Sequence, residues 1–156
     1  MPKMLSKQYD DYVWYLCGPM SGIDQFNVPT FLSEKDRLED LGVRVQLPAD
    51  LDDPATVEAL LMSDGTPGDS EMTWGECLAM DVRLICDHCD GVLVLSGWEK
   101  SKGARLETFT AFLQNKPIFS AKTLRPISMS VLYKAWLAQG TWRDRKIPRT
   151  YNRYYG

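Results

Sequence analysis

The most informative stretch of the chain lies in its middle and reads TWGECLAMDVRLICDHCDGVLVL over residues 73–95. Its first part predicts a helix over 73–86, because apolar residues recur there at helical spacing. The turn residues Asp90 and Gly91 follow, and the unbroken apolar run after them predicts a buried strand over 92–95. The apolar face of the predicted helix consists of Trp74, Cys77, Leu78, Val82 and Ile85.

The same alternation of strand and helix continues on both sides of this stretch. Short apolar runs predict further strands, and periodic apolar residues predict further helices. Strands that alternate with helices indicate an α/β fold, here a doubly wound, flavodoxin/Rossmann-like parallel sheet of four or five strands in a single domain. The strands are predicted over 13–17, 43–47, 92–95 and 116–119, and the helices over 28–41, 73–86, 103–115 and 129–137.

The composition fits one globular domain spanning 1–156, with a core over 13–120 and a basic, tyrosine-rich tail over 141–156. Residues 49–72 are rich in Asp, Pro, Gly and Ser and predict mostly a long surface excursion, with a short helix over 56–62. A net charge of −3 disfavours nucleic acid or an anionic membrane as a partner. Because neither a membrane span nor a signal peptide is evident, we expect a cytoplasmic location.

Four cysteines and one histidine raise the question of a metal site. Cys86 and Cys89 flank His88 in a CxxC pattern, but one such pair without a second is weak support for zinc. The alternative is that Cys17 lies in a buried strand, while Cys77, Cys86 and Cys89 fill space in a helix and at its end. We expect no metal, and reduced cysteines in a reducing cytoplasm.

Two loops follow strands at positions where open parallel sheets bind ligands, beyond the carboxyl ends of the strands. In the first loop, Gly18 and Gly22 allow close backbone approach to an anionic group. In the second, Ser101 and Gly103 lie at a predicted helix N-terminus, whose N–H groups and dipole attract phosphate. Neither loop contains GxGxxG or GxxxxGK[ST], which argues against NAD or ATP, and no cofactor is expected.

Two carboxylates are candidates for chemistry. Glu107 is predicted to lie in the first turn of the 103–115 helix. There it either complements the helix dipole or, kept ionised by that dipole, acts as a nucleophile beside a bound sugar. Asp81 on the 73–86 helix is either a solvated residue or an inward-facing partner carboxylate.

A resemblance to a known family rests on two stretches, which read YLCGPMSGIDQFNVPTF (15–31) and WGECLAMDVRLICDHCDGVLVLSGWEKSKGARLE (74–107). With the interval between them, they resemble the nucleoside 2-deoxyribosyltransferase superfamily. The likeness covers roughly residues 13–120. The chain is similar to the phage-rich, uncharacterised branch of that superfamily and to the 2'-deoxynucleoside 5'-phosphate N-hydrolases.

The resemblance implies a role for each of four residues. Glu107 matches the nucleophile, and Asp81 matches the acid that assists near the leaving base. Tyr15 matches the tyrosine whose hydroxyl holds the nucleophile in place. Ser101 stands where the free-nucleoside transferases carry aspartate and the monophosphate hydrolases carry serine. Because a carboxylate would repel a 5'-phosphate and a hydroxyl donates to it, a nucleotide substrate is implied.

The sequence departs from the family pattern in the first loop. Ser21 stands where some hydrolases have a phosphate-binding arginine, so Lys102, Arg105 or an arginine of the tail would have to replace it. Three further residues are candidate lid or base-stacking groups, with simple packing as the alternative. They are Phe26, Asn27 and Trp98.

The implied reaction is hydrolysis of the N-glycosidic bond of a (deoxy)nucleoside 5'-monophosphate to free base and sugar 5-phosphate. It proceeds with net retention through a covalent Glu107 intermediate. A base-exchanging transferase, a ribonucleotide hydrolase and a non-catalytic nucleotide-binding module stay open as alternatives. Family members commonly complete the pocket with a neighbouring subunit. We therefore expect a homodimer or larger assembly, in the host cytoplasm if the protein is phage-encoded.

Overall fold

Four parallel strands form one sheet in the computed structural model, which describes residues 5–66 and 73–138. Five α-helices accompany them in this part of the chain. The predicted doubly wound α/β fold is therefore confirmed, with four strands. In chain order the elements are β1 (Val13–Cys17), α1 (Val28–Asp40), β2 (Arg44–Gln46), α2 (Pro54–Leu61), α3 (Trp74–His88), β3 (Gly91–Val94), α4 (Lys102–Leu113), β4 (Ile118–Ser120) and α5 (Met129–Leu137).

The strand order is β2-β1-β3-β4. The chain passes from β1 to β2 in one direction along the sheet and from β3 to β4 in the opposite direction. The strand order therefore reverses between β1 and β3, whose register sets Trp14 opposite Gly91. A Cβ atom on Gly91 would stand only 2.5 Å from the Trp14 ring, so only glycine fits there. The reversal point is where doubly wound sheets bind their ligands.

Side chains alternate between the two faces of the sheet. Trp14 and Leu16 of β1 pack in a cluster with residues of α1 and α2. Tyr15 and Cys17 pack on the other face, with residues of α3, α4 and α5. Both faces of β1 are thus covered, which explains its unbroken apolar sequence.

The predicted short helix over 56–62 is confirmed as α2, whereas the predicted surface excursion over 49–72 is wrong where two leucines of the segment enter the core. A 3-10 turn over Ala49–Leu51 and helix α2 both contribute buried leucines, Leu51 and Leu60, to the core. Asp53 begins α2 by accepting a hydrogen bond from the backbone N–H of Thr56 at 3.0 Å. Residues 67–72 and the 141–156 tail lie outside the described residues.

None of the helices in residues 5–66 and 73–138 has the length and apolar character that crossing a membrane requires.

Candidate active site

Three of the predicted site residues come together on the α3–α5 side of the sheet. Tyr15, in the middle of β1, is fully buried. Asp81 lies midway along α3, and Glu107 lies on α4. The charges of both carboxyl groups act on the Tyr15 hydroxyl. Because β1 pairs with β3 at the reversal of strand order, the group occupies the expected ligand position of this fold.

Glu107 lies in the second turn of α4, and its predicted place in the first turn is wrong. The helix begins at Lys102, because the Oγ of Ser101 caps it by accepting a hydrogen bond from the N–H of Ala104 at 3.2 Å. Glu107 points inward and is only 6% exposed. Its Oε2 atom is buried without a hydrogen-bond partner among the described residues. Such an atom is unfavourable unless something else pairs with it, and a ligand is one such partner.

The hydroxyl of Tyr15 is likewise buried without a well-formed hydrogen bond in the described part of the chain. It nevertheless lies close enough to Glu107 and Asp81 to interact with both carboxyl groups. Burial raises the pKa of Tyr15, and the charges of the two carboxyls raise it further. The phenol therefore keeps its proton at neutral pH and stays a donor between two acceptors.

The sequence left two positions open for Asp81, solvated or inward-facing, and the structure shows the inward-facing one. It is partly buried within the apolar face of α3, and its Oδ1 accepts a hydrogen bond from the backbone N–H of Ala49 at 2.9 Å. Burial raises the pKa of Asp81 to about 7, although the hydrogen bond from Ala49 opposes the shift. Asp81 is therefore held in place by the turn that follows β2.

The charge of Asp81 acts on the carboxyl group of Glu107. Burial raises the pKa of Glu107 well above its ordinary value, and the charge of Asp81 raises it further. The prediction that the helix dipole keeps Glu107 ionised is wrong, because the residue lies past the first turn and is buried. Neighbouring carboxyls in such a site resist double ionisation, so that one of the two keeps a proton to a higher pH than an isolated carboxyl does. A pair of this kind offers one carboxylate and one acid at the same time.

A third carboxyl group, that of Asp50, was not predicted from the sequence as part of the site. It lies partly buried in the turn after β2, next to Ala49. Burial raises the pKa of Asp50, and its charge raises the pKa of Asp81 and of Glu107. Its position just beyond the carboxyl end of a strand could have identified Asp50 as a candidate. The Asp- and Pro-rich composition of the segment instead indicated a surface loop.

The N-terminus of α4 borders the same site. A Cβ atom on Gly103 would stand 3.8 Å from Oε1 of Glu107 and 3.9 Å from Oγ of Ser101, so Gly103 faces the gap between them. The Ser101 oxygen accepts from Ala104, which leaves its hydrogen to donate. Arg105 folds back here, its Nε donating to the carbonyl oxygen of Ser101 at 3.3 Å.

Comparison with protein families gives one match. A model described as Domain of unknown function (DUF4406) matches residues 12–120, which is most of the chain. The chain belongs to the DUF4406 family. No curated protein and no solved structure matches it. The matched region runs from just before β1 to the end of β4, so it contains the whole sheet together with Tyr15, Asp81 and Glu107.

The first loop of this DUF4406 domain, after β1, is shaped by its glycines in two ways. Gly18 is buried, and a Cβ atom there would come within 2.8 Å of Leu95. The backbone of Gly18 therefore closely approaches Leu95, the residue that follows β3. Gly22 has a φ of +80°, which favours glycine, and its N–H donates to the carbonyl of Gly65 at 3.0 Å. Ser21 is exposed beside it.

Two of the three candidate lid or stacking residues pack inside the protein. Phe26 and Trp98 are buried in the cores on opposite faces of the sheet. For both residues the structure therefore shows simple packing, the alternative to a lid or stacking role. Asn27 braces the first loop, because its amide donates to the carbonyl oxygen of Pro19 at 2.9 Å. All three backbone conformations from Gln25 to Asn27 are left-handed, so the loop makes an unusual turn.

The cysteines lie apart from any metal-binding arrangement in the described residues. No group of three or more His, Cys, Asp or Glu side chains there is placed to hold a metal ion. Cys17 and Cys89 are buried, and Cys77 and Cys86 are partly buried, all as free thiols. Burial raises the pKa of Cys17, which leaves its thiol protonated beside the carboxyl pair.

Proposed function

We propose that this DUF4406 protein hydrolyses the N-glycosidic bond of a (deoxy)nucleoside 5'-monophosphate, releasing free base and sugar 5-phosphate. The observation that carries the proposal is the buried Oε2 of Glu107, which has no hydrogen-bond partner among the described residues. It lies beside a second carboxyl and a protonated tyrosine at the ligand edge of the sheet. Such an arrangement suits covalent catalysis at a sugar carbon.

The first step uses the proton of the carboxyl pair. The step requires the proton of the pair to lie on Asp81. Glu107 as carboxylate then attacks the anomeric carbon, while Asp81 donates that proton to the departing base nitrogen. A bond from the Glu107 oxygen to carbon forms as the bond from carbon to nitrogen breaks. Tyr15 donates toward the nucleophile and fixes its orientation. The products of this step are the free base and a glycosyl ester on Glu107.

The second step returns both groups to their starting state. Asp81, now ionised, takes a proton from water as the water oxygen attacks the anomeric carbon. The ester bond breaks and Glu107 leaves as a carboxylate. Two inversions give net retention, and the balance needs no oxidant or cofactor. A second base in place of water would give base exchange from the same intermediate.

The phosphate end of the substrate is assigned to the start of α4. Ser101 retains a donor hydrogen, and the helix N-terminus favours anions. Arg105 lies at this end and supplies the positive charge that Ser21 does not. The preference for a nucleotide over a nucleoside rests on these groups. We further propose the superfamily relationship, a cytoplasmic location and a homodimeric or larger assembly.

The test of this function is base release from a panel of nucleoside monophosphates, followed by chromatography. Glu107→Gln keeps the shape of the side chain and removes the nucleophile. We expect base release to fall by about a thousandfold or more, with folding preserved. The matched control is Glu99→Gln, the same change at an exposed position before α4, which should keep the wild-type rate.

Intact mass spectrometry with a slowly resolving analogue should find a sugar-phosphate adduct on the wild type and none on Glu107→Gln. Base release by Glu107→Gln at the wild-type rate would show that the nucleophile is another group. A wild type that binds nucleotides and releases no base would establish a binding module in place of an enzyme.

A further inference from the structure

The carboxyl group of Asp50 has no part in the two proposed reaction steps, although it borders the candidate active site. Asp50 lies partly buried in the 3-10 turn Ala49–Leu51, shortly after β2. The N–H of Ala49 donates to Oδ1 of Asp81 at 2.9 Å, which fixes this turn against α3. Asp50 is therefore held one residue away from the contact between the turn and Asp81.

The carboxyl groups lie in a definite order across the site. Cys77 lies one helical turn before Asp81, on the same side of α3. The charge of Asp50 acts on the Cys77 thiol more strongly than the charge of Asp81 does. On Glu107 the order is reversed, and Asp81 acts more strongly than Asp50. Because such effects weaken with distance, Asp50 lies beyond Asp81 as seen from Glu107, toward the Cys77 end of the site.

Two buried polar atoms indicate that a ligand completes this site. Oε2 of Glu107 and the hydroxyl of Tyr15 have no hydrogen-bond partner in the part of the chain that the structure describes. Glu107 is 6% exposed and Tyr15 is fully buried. Since buried polar atoms normally have partners, the carboxyl groups belong to a binding site and not to a solvated acidic surface.

The direction in which a nucleotide lies here rests on the proposed function. That function assigns the phosphate to Ser101, and Gly103 faces the gap between Ser101 and Glu107. With its phosphate at Ser101 and its anomeric carbon at Glu107, the nucleotide has its base beside Asp81. The edge of the base that points away from the sugar then extends toward Asp50.

The charges at this end of the site favour hydrogen-bond donors on the base. Asp50 and Asp52 both act on Asp81 with negative charge. Burial raises the pKa of Asp50, but the backbone N–H groups of Asp50 and Leu51 oppose the shift and favour the ionised form. An ionised carboxyl accepts hydrogen bonds and donates none. It attracts the exocyclic amino group of cytosine or adenine and repels the carbonyl oxygen that uracil or hypoxanthine carries in its place.

We propose that Asp50 determines base specificity by accepting a hydrogen bond from the exocyclic amino group of a cytosine or adenine nucleotide. Nucleotides that carry a carbonyl oxygen in place of this amino group bind poorly, because the oxygen faces a carboxylate and has no donor there. Asp50 thus contributes to recognition of the base and not to the breaking of the glycosidic bond.

The experiment is isothermal titration calorimetry on Glu107→Gln with two nucleotide pairs, dCMP with dUMP and dAMP with dIMP. Each pair compares an amino base with its carbonyl counterpart, and without the nucleophile the bound nucleotide is not consumed. We expect the amino member to bind about tenfold to a hundredfold more tightly. Adding Asp50→Asn should bring the two members within about threefold of each other, because an amide both accepts and donates.

Asp52→Asn is the matched control, since it makes the same change at an exposed position two residues further along. It should leave the preference unchanged, and circular dichroism checks the folding of each variant. Equal affinity within both pairs, or tighter binding of the carbonyl members, overturns the inference. A preference for the amino members that survives Asp50→Asn also overturns it, because another group must then recognise the base.

This test is separate from the test of base release. A protein that prefers the amino members through Asp50 and releases no base would refute the proposed hydrolysis and retain the inference. A protein that releases base and binds both members of each pair equally would do the reverse. If Asp50 acted only through the proton of Asp81, Asp50→Asn would change base release from both members alike and leave the binding preference as it was.

Discussion

Ser101 caps α4 and is also proposed to donate to the phosphate of the substrate. One substitution distinguishes these two roles. Aspartate is as good a helix N-cap as serine, so Ser101→Asp keeps α4 in place while adding a negative charge beside the proposed phosphate site. We expect base release from monophosphates to fall by about tenfold to a hundredfold, while any release from the matching nucleosides is retained. Base release is measured on paired nucleotide and nucleoside substrates.

Ser128→Asp is the control, because Ser128 caps α5 in the same way, accepting from the N–H of Val131 at 3.3 Å. It should leave the substrate preference unchanged. Equal loss on nucleotides and nucleosides in Ser101→Asp would assign Ser101 to helix capping alone.

The site residues differ in how well the sequence predicts their positions. Asp81 falls within the apolar spacing of α3, so its inward position was one of two predictions. Glu107 was placed one turn too early, because a first turn holds 3.6 residues and Glu107 lies beyond it whether the helix begins at Lys102 or at Gly103. The raised pKa values follow from burial between elements distant in sequence, which spacing does not reveal.

At the scale of elements, the loop after β1 depends on Asn27. This residue has a left-handed backbone with a φ of 59° and also donates to Pro19. Asn27→Ala should lower the free energy of unfolding by about 2 kcal/mol, half from the left-handed backbone and half from the lost hydrogen bond. Urea unfolding measures this change.

Asn115 provides the control, because it has a left-handed φ of 56° and an exposed side chain after α4. Asn115→Ala should therefore cost only the backbone part, about 1 kcal/mol. Equal costs at the two positions would mean that the Asn27 hydrogen bond contributes nothing to the loop.

Strongly periodic elements were predicted well, and weakly patterned ones were not. Strand β1 has its predicted bounds, and α1, α3 and α5 lie within two residues of theirs. In the segment after β2 the short helix was predicted, but turn-forming composition hides the fact that Leu51 and Leu60 are buried with residues of α1 and the sheet. Tertiary packing there overrides local composition.

At the scale of the whole molecule, the strand order could not be derived from the sequence. Alternating strands and helices predict a parallel sheet, but only the fold shows that β1 lies between β2 and β3. That order brings the turn after β2 against α3, so that Ala49 holds Asp81, and it brings Tyr15 beneath both carboxyls. The candidate site is thus a product of topology as much as of its residues.

The buried carboxyl pair should give the folded protein a distinctive dependence on pH. Below about pH 3, Asp81 is protonated in both the folded and the unfolded chain and contributes nothing. As pH rises toward 7, the unfolded chain ionises first, because the folded pKa of Asp81 is raised to about 7. The free energy of unfolding therefore falls over this window, and Glu107, whose pKa is also raised, acts in the same direction.

Asp81→Asn removes this penalty and keeps an oxygen to accept from Ala49. We expect the variant to match the wild type near pH 3 and to exceed its free energy of unfolding by about 2 kcal/mol at pH 8, after a discount for partial exposure. Urea unfolding at several pH values gives the comparison. Asp87→Asn, on the exposed side of the same helix, should show no such trend, since its pair with Arg83 at 3.6 Å lies on the surface. A difference between Asp81→Asn and wild type that stays constant from pH 4 to pH 8 would mean that Asp81 ionises freely in the folded protein. In that case Asp81 holds no proton at neutral pH to give to a departing base.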